Sequence, residues 1–529
     1  MQKRAESTEQ DAVIAFLSDP ASYDPRPDAV ERIDTHAAIV FLAGAHAYKI
    51  KRAVKLAYLD FSTLEKRRRA CERELELNRA TAPGLYLAVT PIVRQADGRL
   101  ALGGDGVAVE WAVAMLRFDQ DDLLDRLAHR GRLDLTLMAP LADHIADFHA
   151  GAPAARQTDG EAVMADVVTS TVAALGSAPD VVPQSALSHY AKTILAALHD
   201  TADLLRQRSA GGHVRRCHGD LHLKNIVLLD GRPTLFDAIE FDEAIATIDV
   251  LYDLAFLIMD LWHAGLRRHA NAVLNRYLAA AGDPDHLAGL AALPLFLACR
   301  AAVRAMVTLD NLANLAPAAR AGAEREAVDY FDRARGFLVP ETPRLVAIGG
   351  LSGTGKSTLA AALAPALGAA PGAIHLRSDV ERKALFGVPA TRRLGPEAYD
   401  PAVTERVYAI MRDKAVRALG AGHSVIADAV SLTPEHRDLF ETAAREANAP
   451  FSGLWLTAGA DRLVQRVEAR RGDASDANAD VVRRQLELST GPIAWQPVEA
   501  DAGPDSTLHT AARALGVAPP EDGAVTPPT

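Results

Sequence analysis

From about residue 36 to 117 the chain alternates short apolar runs with one helical period. From about 121 to 335 most apolar positions recur at helical spacing, broken by a single strand-rich segment. This pattern predicts a small sheet lobe followed by a larger helical lobe, a bilobal α+β arrangement. The texture changes at Phe337-Leu338-Val339-Pro340-Glu341-Thr342-Pro343, where two prolines precede an apolar strand from Arg344 to Ile348. Beyond it strands and helices alternate, which predicts an α/β domain with a parallel sheet and crossover helices. The expected division is 1–338, 339–517 and a disordered tail over 518–529, where the stretch beginning Ala518-Pro519-Pro520 is proline-rich. No internal repeat is evident.

Composition narrows the class. A chain of 529 residues exceeds what one compact core accommodates. With 49% hydrophobic and 24% charged residues it reads as a soluble globular protein. The nearest membrane-span candidate, about 293 to 307, is interrupted by Arg300 and Arg304, so no membrane partner is expected. Met1-Gln2-Lys3-Arg4-Ala5-Glu6 leads into an amphipathic stretch rather than an apolar signal core, and a cytoplasmic location is expected. Cys71, Cys217 and Cys299 are too widely spaced for a disulfide framework or a close-set zinc site. A net charge of -11 argues against a nucleic-acid partner, which would need a concentrated basic excess.

The apolar strand at 345–348 runs into Gly350-Leu351-Ser352-Gly353-Thr354-Gly355-Lys356-Ser357, a P-loop in its proper setting between strand and helix. Glycines let the backbone N–H groups from Ser352 to Gly355 converge on phosphate oxygens. Lys356 neutralises the β and γ phosphates, Ser357 can ligate Mg²⁺, and Thr358 completes the nucleotide-binding set. Downstream, Asp379 stands where the second strand should deliver its end to the crevice. It is a candidate general base, with Arg382 one turn on to hold an anion; a helix N-cap is its other reading. Asp428 ends another apolar strand and suits a carboxylate acting on Mg²⁺, or else a cap or surface acid. Arg466 and Arg470 share a helix face before the loop at 472–477, as lid arginines facing the transferred phosphoryl group or as solvated partners of Asp461 or Glu468. From 344 to 515 these residues resemble the small P-loop kinases of the gluconate kinase, adenylylsulfate kinase and zeta-toxin group.

In the first half, His218-Gly219-Asp220-Leu221-His222-Leu223-Lys224-Asn225 has an Asp followed five positions later by an Asn, the spacing of a kinase catalytic loop. Asp220 can orient or deprotonate an acceptor hydroxyl, Asn225 can reach Mg²⁺, and a strand-like segment delivers Asp237 as a second metal ligand. Roughly residues 30 to 330 resemble the aminoglycoside phosphotransferase and choline kinase group, which implies a protein-kinase-like domain. The resemblance further implies that Lys49 contacts nucleotide phosphates with Glu74 as its partner; Lys51 and Glu72 are neighbours of the same type, and a basic strand on a solvated edge is the other reading. It implies that the strand Val107 to Met115, with Glu110-Trp111-Ala112, forms the hinge against adenine, a core strand being the alternative. It also makes Ala43-Gly44-Ala45-His46 the loop over the phosphates. Glu240, Asp242 and Glu243 would be the acids available to the amines of an aminoglycoside.

The fusion resembles a bacterial family of two-domain proteins, an aminoglycoside phosphotransferase-like domain followed by a P-loop kinase domain. The expectation is a kinase that uses ATP and Mg²⁺, takes a small hydroxylated substrate, and has two potential phosphoryl-transfer centres. Two alternatives stand beside it: a single active P-loop centre with the first half as a binding or regulatory module, and a nucleotide-driven, toxin-like switch.

Overall fold

A computed structural model describes residues 2–35, 37–55, 59–312, 315–469 and 474–518, with side chains from residue 9 onward. Arg470 and nearly all of the tail expected over 518–529 lie outside the described residues. Two compact units are formed, one drawn from 2–158 and 212–253, the other from 159–211 and 254–518.

In the first unit β1 (Val30–Asp34), β2 (Ala38–Ala43), β3 (His46–Lys51), β4 (Tyr86–Arg94), β5 (Leu100–Leu102) and β6 (Val107–Leu116) form one antiparallel sheet in the order β1-β2-β3-β6-β4-β5. Successive side chains on a strand point to opposite faces, and here both faces are covered. Ile39 and Phe41 pack with Val13 and Leu17 from the helix Gln2–Ser18, whereas Leu42 packs with Cys71, Leu85 and Met115. This double burial is why β2 is apolar throughout rather than alternating. The helix Leu64–Asn78, capped by the Thr63 hydroxyl on the Lys66 N–H, covers the second face. Later come β7 (Val214–Arg216), β8 (Ile226–Leu229), β9 (Arg232–Leu235) and β10 (Thr247–Asp249), paired as β7 with β10 and β8 with β9. Asp230 and Gly231, with φ of 49° and 76°, close the β8–β9 hairpin in the left-handed region that two-residue turns demand. The sheet, its covering helix and the hairpin belong to a protein-kinase-like α+β fold.

The second unit begins with long helices, among them Gly160–Gly176, Gln184–Gly211, Arg267–Ala281, Leu293–Asn311 and Pro317–Phe337. Among the described residues one stretch, Asp285–Asn311, is long and apolar enough to cross a membrane, with mean hydropathy 1.7, yet 67% of that window is buried here. It serves as a core helix, with the Arg300 guanidinium 4.6 Å from the centre of the Phe256 ring. There follow β11 (Leu345–Gly350), β12 (Ile374–Arg377), β13 (Val425–Asp428), β14 (Phe451–Thr457) and β15 (Gln496–Glu499), all parallel, in the order β12-β13-β11-β14-β15. β11 is central and wholly buried, and its Val346 and Ile348 meet Leu359 and Leu363 of the helix Lys356–Leu363. This is an α/β P-loop fold, with the ends of β11, β12 and β13 directed at one crevice.

Candidate functional site

In the first unit Lys49 and Lys51 lie two apart on β3, so both point at the helix Leu64–Asn78. Lys49 Nζ is 2.9 Å from Glu74 Oε1 and 2.5 Å from Asp237 Oδ1, while Lys51 Nζ is 2.5 Å from Glu74 Oε2 and also pairs with Glu240. β3 is flanked by β2 and β6, so the solvated-edge alternative does not describe it. Burial works to raise the Glu74 carboxyl, but the two ammonium groups outweigh it and hold Glu74 below its ordinary range. Burial dominates at Glu240 and holds it above. Lys49 is held well above its ordinary value, because the attraction of Asp237 and Glu74 overcomes burial.

Asp220 is half-exposed, and Asn225 Nδ2 donates to its backbone O at 2.9 Å and to Oδ2 at 2.8 Å. His222 Nε2 sits 3.3 Å from the same carboxylate. The loop is fixed from behind by buried Asp253, which accepts from His218 N at 3.2 Å and Gly219 N at 2.9 Å and meets His149 Nε2 at 3.1 Å. His218 Nε2 lies 2.9 Å from the Phe236 carbonyl, tying this loop to the residue before Asp237. Asp237 itself has φ 61°, and its N–H donates to the Tyr86 hydroxyl at 3.1 Å. The structure thus pairs Asp220 with Asn225 and gathers Lys49, Glu74 and Asp237.

Two expectations are corrected here and a third is resolved. Ala43-Gly44-Ala45-His46 is the tight β2–β3 turn, with Ala43 paired to His46, and a two-residue hairpin has no length to lie over a phosphate. Glu110-Trp111-Ala112 sits mid-sheet on β6, which is the core-strand alternative for this segment. There Glu110 is fully buried and held by Arg67 at 2.9 Å and Gln10 at 2.8 Å. The three acids suggested for an amine ligand are engaged elsewhere. Glu240 faces Lys51, Asp242 caps the Ala244 N–H at 2.8 Å, and Glu243 meets Arg73 at 2.8 Å and Arg216 at 2.7 Å.

In the second unit a cavity of 1130 Å³ is lined by Ser352 through Thr358, Asp379, Asp428 and Arg466. Side chains are excluded where the loop is tightest. A Cβ at Gly350 would stand 2.5 Å from the Leu456 carbonyl oxygen, and one at Gly353 2.7 Å from that of Leu463. Lys356 Nζ donates to the Leu351 carbonyl at 3.0 Å, and the Ser352 N–H donates to Gln485 Oε1 at 2.8 Å. Asp379 is the second residue of the helix Ser378–Leu385, whose N-cap position is Arg377, so it is not the cap. Asp428 is buried and meets His375 Nε2 at 3.2 Å and Arg377 Nε at 3.7 Å. Burial would raise Asp428, but the His375 hydrogen bond, with the charges of His375, Arg377 and Lys356, holds it at about 2. Asp379 is pushed the other way, by burial and then by the negative charge of Asp428. Arg466 faces the loop rather than solvent, donating to Ala500 O at 2.7 Å and Gly353 O at 3.4 Å. Arg382 lines the same cavity, donating to Ala398 O at 2.6 Å with its guanidinium 4.8 Å from the centre of the Tyr399 ring.

The reading of the sequence missed His375, Arg377 and Gln485. His375 carried a weak signal, standing in the strand that also ends near Asp379. Gln485 carried none, because it reaches the P-loop from 133 residues downstream.

Residues 345–492 match the family model described as an AAA domain. Proteins of Mycobacterium bovis and Mycobacterium tuberculosis, both described as uncharacterized, are 30% identical over 485 residues, covering 89% of this chain and 93% of each relative. The chain belongs to their family. In this chain the α+β region described above precedes the P-loop domain. Among solved structures, a choline/ethanolamine kinase family protein from Mesorhizobium loti is 16% identical, covers 62% of this chain and 99% of its own, and has TM-score 0.35. A gluconokinase from Sinorhizobium meliloti is 20% identical, covers 33% and 92%, and has TM-score 0.24.

Proposed function

We propose that the chain is an ATP- and Mg²⁺-dependent phosphotransferase with two phosphoryl-transfer centres, in regions 1–338 and 339–517. It acts on small hydroxylated acceptors in the cytoplasm, with neither nucleic acid nor membrane as partner. One observation carries the P-loop centre. Two acids in a single cavity with the P-loop are driven in opposite directions, Asp428 down to about 2 and Asp379 up. Such a split assigns a permanently ionised ligand and a group able to take a proton.

In the P-loop centre the loop amides and Lys356 hold the nucleotide phosphates. Asp379 accepts the proton of the acceptor hydroxyl as its oxygen bonds to the γ phosphorus and the bond to the β-phosphate oxygen breaks. Arg466 offsets the charge that develops. The Ser357 hydroxyl and the Asp428 carboxylate are hard oxygen donors that suit Mg²⁺, which would supply charge neutralisation between the β and γ phosphates. In the other centre Asp220 would act on the acceptor, with the Asn225 amide oxygen and Asp237 as metal ligands and Lys49, aligned by Glu74, on the phosphates.

The tight β2–β3 turn favours a second reading, in which only the P-loop centre turns over and the first region binds or regulates. The deciding experiment follows labelled γ-phosphate from wild type, Lys356→Ala and Asp220→Ala into a panel of sugars, aminoglycosides and nucleosides. Two active centres predict that each substitution abolishes a different transfer. Loss with Lys356→Ala alone supports the second reading. ATP turnover that no acceptor stimulates would remove both and leave a nucleotide-driven switch.

A further inference from the structure

β12 is the outer strand of the five-stranded sheet, so one row of its backbone groups has no neighbouring strand to bond. The helix Arg267–Ala281 supplies the missing partners from side chains. Asn275 Oδ1 accepts from His375 N at 2.7 Å, and Asn275 Nδ2 donates to Ala373 O at 3.2 Å. A neighbouring peptide in a ladder would make this same pair of bonds to residues two apart. Buried Asn271 extends the ladder, with Nδ2 donating to Pro371 O at 3.1 Å and Ala373 O at 3.0 Å. Asn275 Nδ2 also donates to Asn271 Oδ1 at 3.0 Å, which fixes which way each amide faces.

The residue held in this way is the one that meets Asp428. His375 takes its backbone bond from Asn275 and presents Nε2 to Asp428 Oδ2 at 3.2 Å. We infer that Asn275 is a positioning residue of the P-loop centre, holding β12 in register so that His375 fixes the orientation of the Asp428 carboxylate. The inference rests on the proposed role of Asp428 at Mg²⁺. A ring bonded to one carboxylate oxygen leaves the other free to face a cation, and a displaced β12 would let the carboxylate rotate. Arg268, two turns earlier on the same helix, lines the same cavity, so this helix is part of the wall of the nucleotide site.

The test is calorimetric binding of a non-hydrolysable ATP analogue to the full chain, with and without Mg²⁺, in wild type, Asn275→Leu, Asn275→Asp, His375→Leu, the double variant Asn275→Leu/His375→Leu, and Lys356→Ala. Asn275→Leu is expected to keep the Mg²⁺-free affinity, which rests on Lys356 and the loop amides. It should lose about tenfold or more of the gain that Mg²⁺ confers, as partners of metal ligands commonly do. Asn275→Leu should add nothing further in the His375→Leu chain, a non-additivity that mere loss of packing would not produce. If Asn275→Leu does not fold, Asn275→Asp, which keeps the acceptor for His375 N but loses the donor to Ala373, is judged by the same Mg²⁺ gain. A folded variant with the wild-type Mg²⁺ gain overturns the inference and leaves the P-loop centre standing. The binding event that Lys356→Ala removes is the one read throughout, since the centre at Lys49 and Asp237 would bind the analogue separately; if Lys356→Ala removes none, the centre and the inference fall together.

Discussion

At Glu74 two ammonium groups meet one carboxylate where the side chain has no exposure to water. Removing the carboxylate strands charge in a place that cannot solvate it, the situation in which breaking a buried pair is most costly. Glu74→Leu is therefore expected to lower the stability of the first unit by about 3–5 kcal/mol, read from urea unfolding. A loss under about 1 kcal/mol would mean that Asp237 and Glu240 take over both lysines without penalty. The Lys49 and Glu74 pairing was legible through family resemblance, but its doubling was not. Nothing local in Ala47-Tyr48-Lys49-Ile50-Lys51 distinguishes a solvated basic strand from an interior one, because that depends on β6, which pairs from more than sixty residues away. The P-loop was legible for the opposite reason, since Gly350 to Ser357 are contiguous and their conformational demands are written in neighbouring residues.

Between elements, His423 shows how a loop is tied to a helix pair. It stands just before β13, is buried, and its Nε2 meets the Leu290 carbonyl at 3.1 Å. Burial pushes it down to about 4 from its ordinary 6.5, against the weaker upward pull of that carbonyl. Below pH 6.5 the unfolded chain binds a proton that the folded chain refuses, so stability rises with pH across the window from 4 to 6.5 and is lost as pH falls through it. The gap corresponds to about 3 kcal/mol. His423→Gln should flatten the pH dependence of the urea midpoint within that window and leave it parallel to wild type above pH 7. An unchanged slope would show that His423 protonates in place. Periodicity located the helices and β13, yet which helix meets which loop is a long-range matter that pattern does not encode.

For the whole molecule, nucleotide binding and stability are linked. An ATP analogue at a hundredfold its dissociation constant should stabilise the unit that carries Lys356 by about 2.7 kcal/mol. Differential scanning calorimetry should find that stabilisation intact in Asp220→Ala and gone in Lys356→Ala. Its persistence in Lys356→Ala would place the nucleotide elsewhere. The α+β and α/β characters of the two regions could be read from the sequence, because periods of 2 and 3.6 and the proline-rich junction are local signals. The composition of the second unit could not. It draws helices from upstream of residue 338 to the sheet downstream, through amides such as Asn275 that meet their partners 100 residues later.

The capped rim of β12 bears on how such a protein can be divided. A polypeptide translated only from the proline-rich junction onward would carry β12 with its lateral amides bare, a ready template for cross-chain stacking. Keeping both regions on one messenger delivers the cover together with the strand it protects. Gene fission at the junction would therefore be opposed by insolubility before it was ever judged on chemistry.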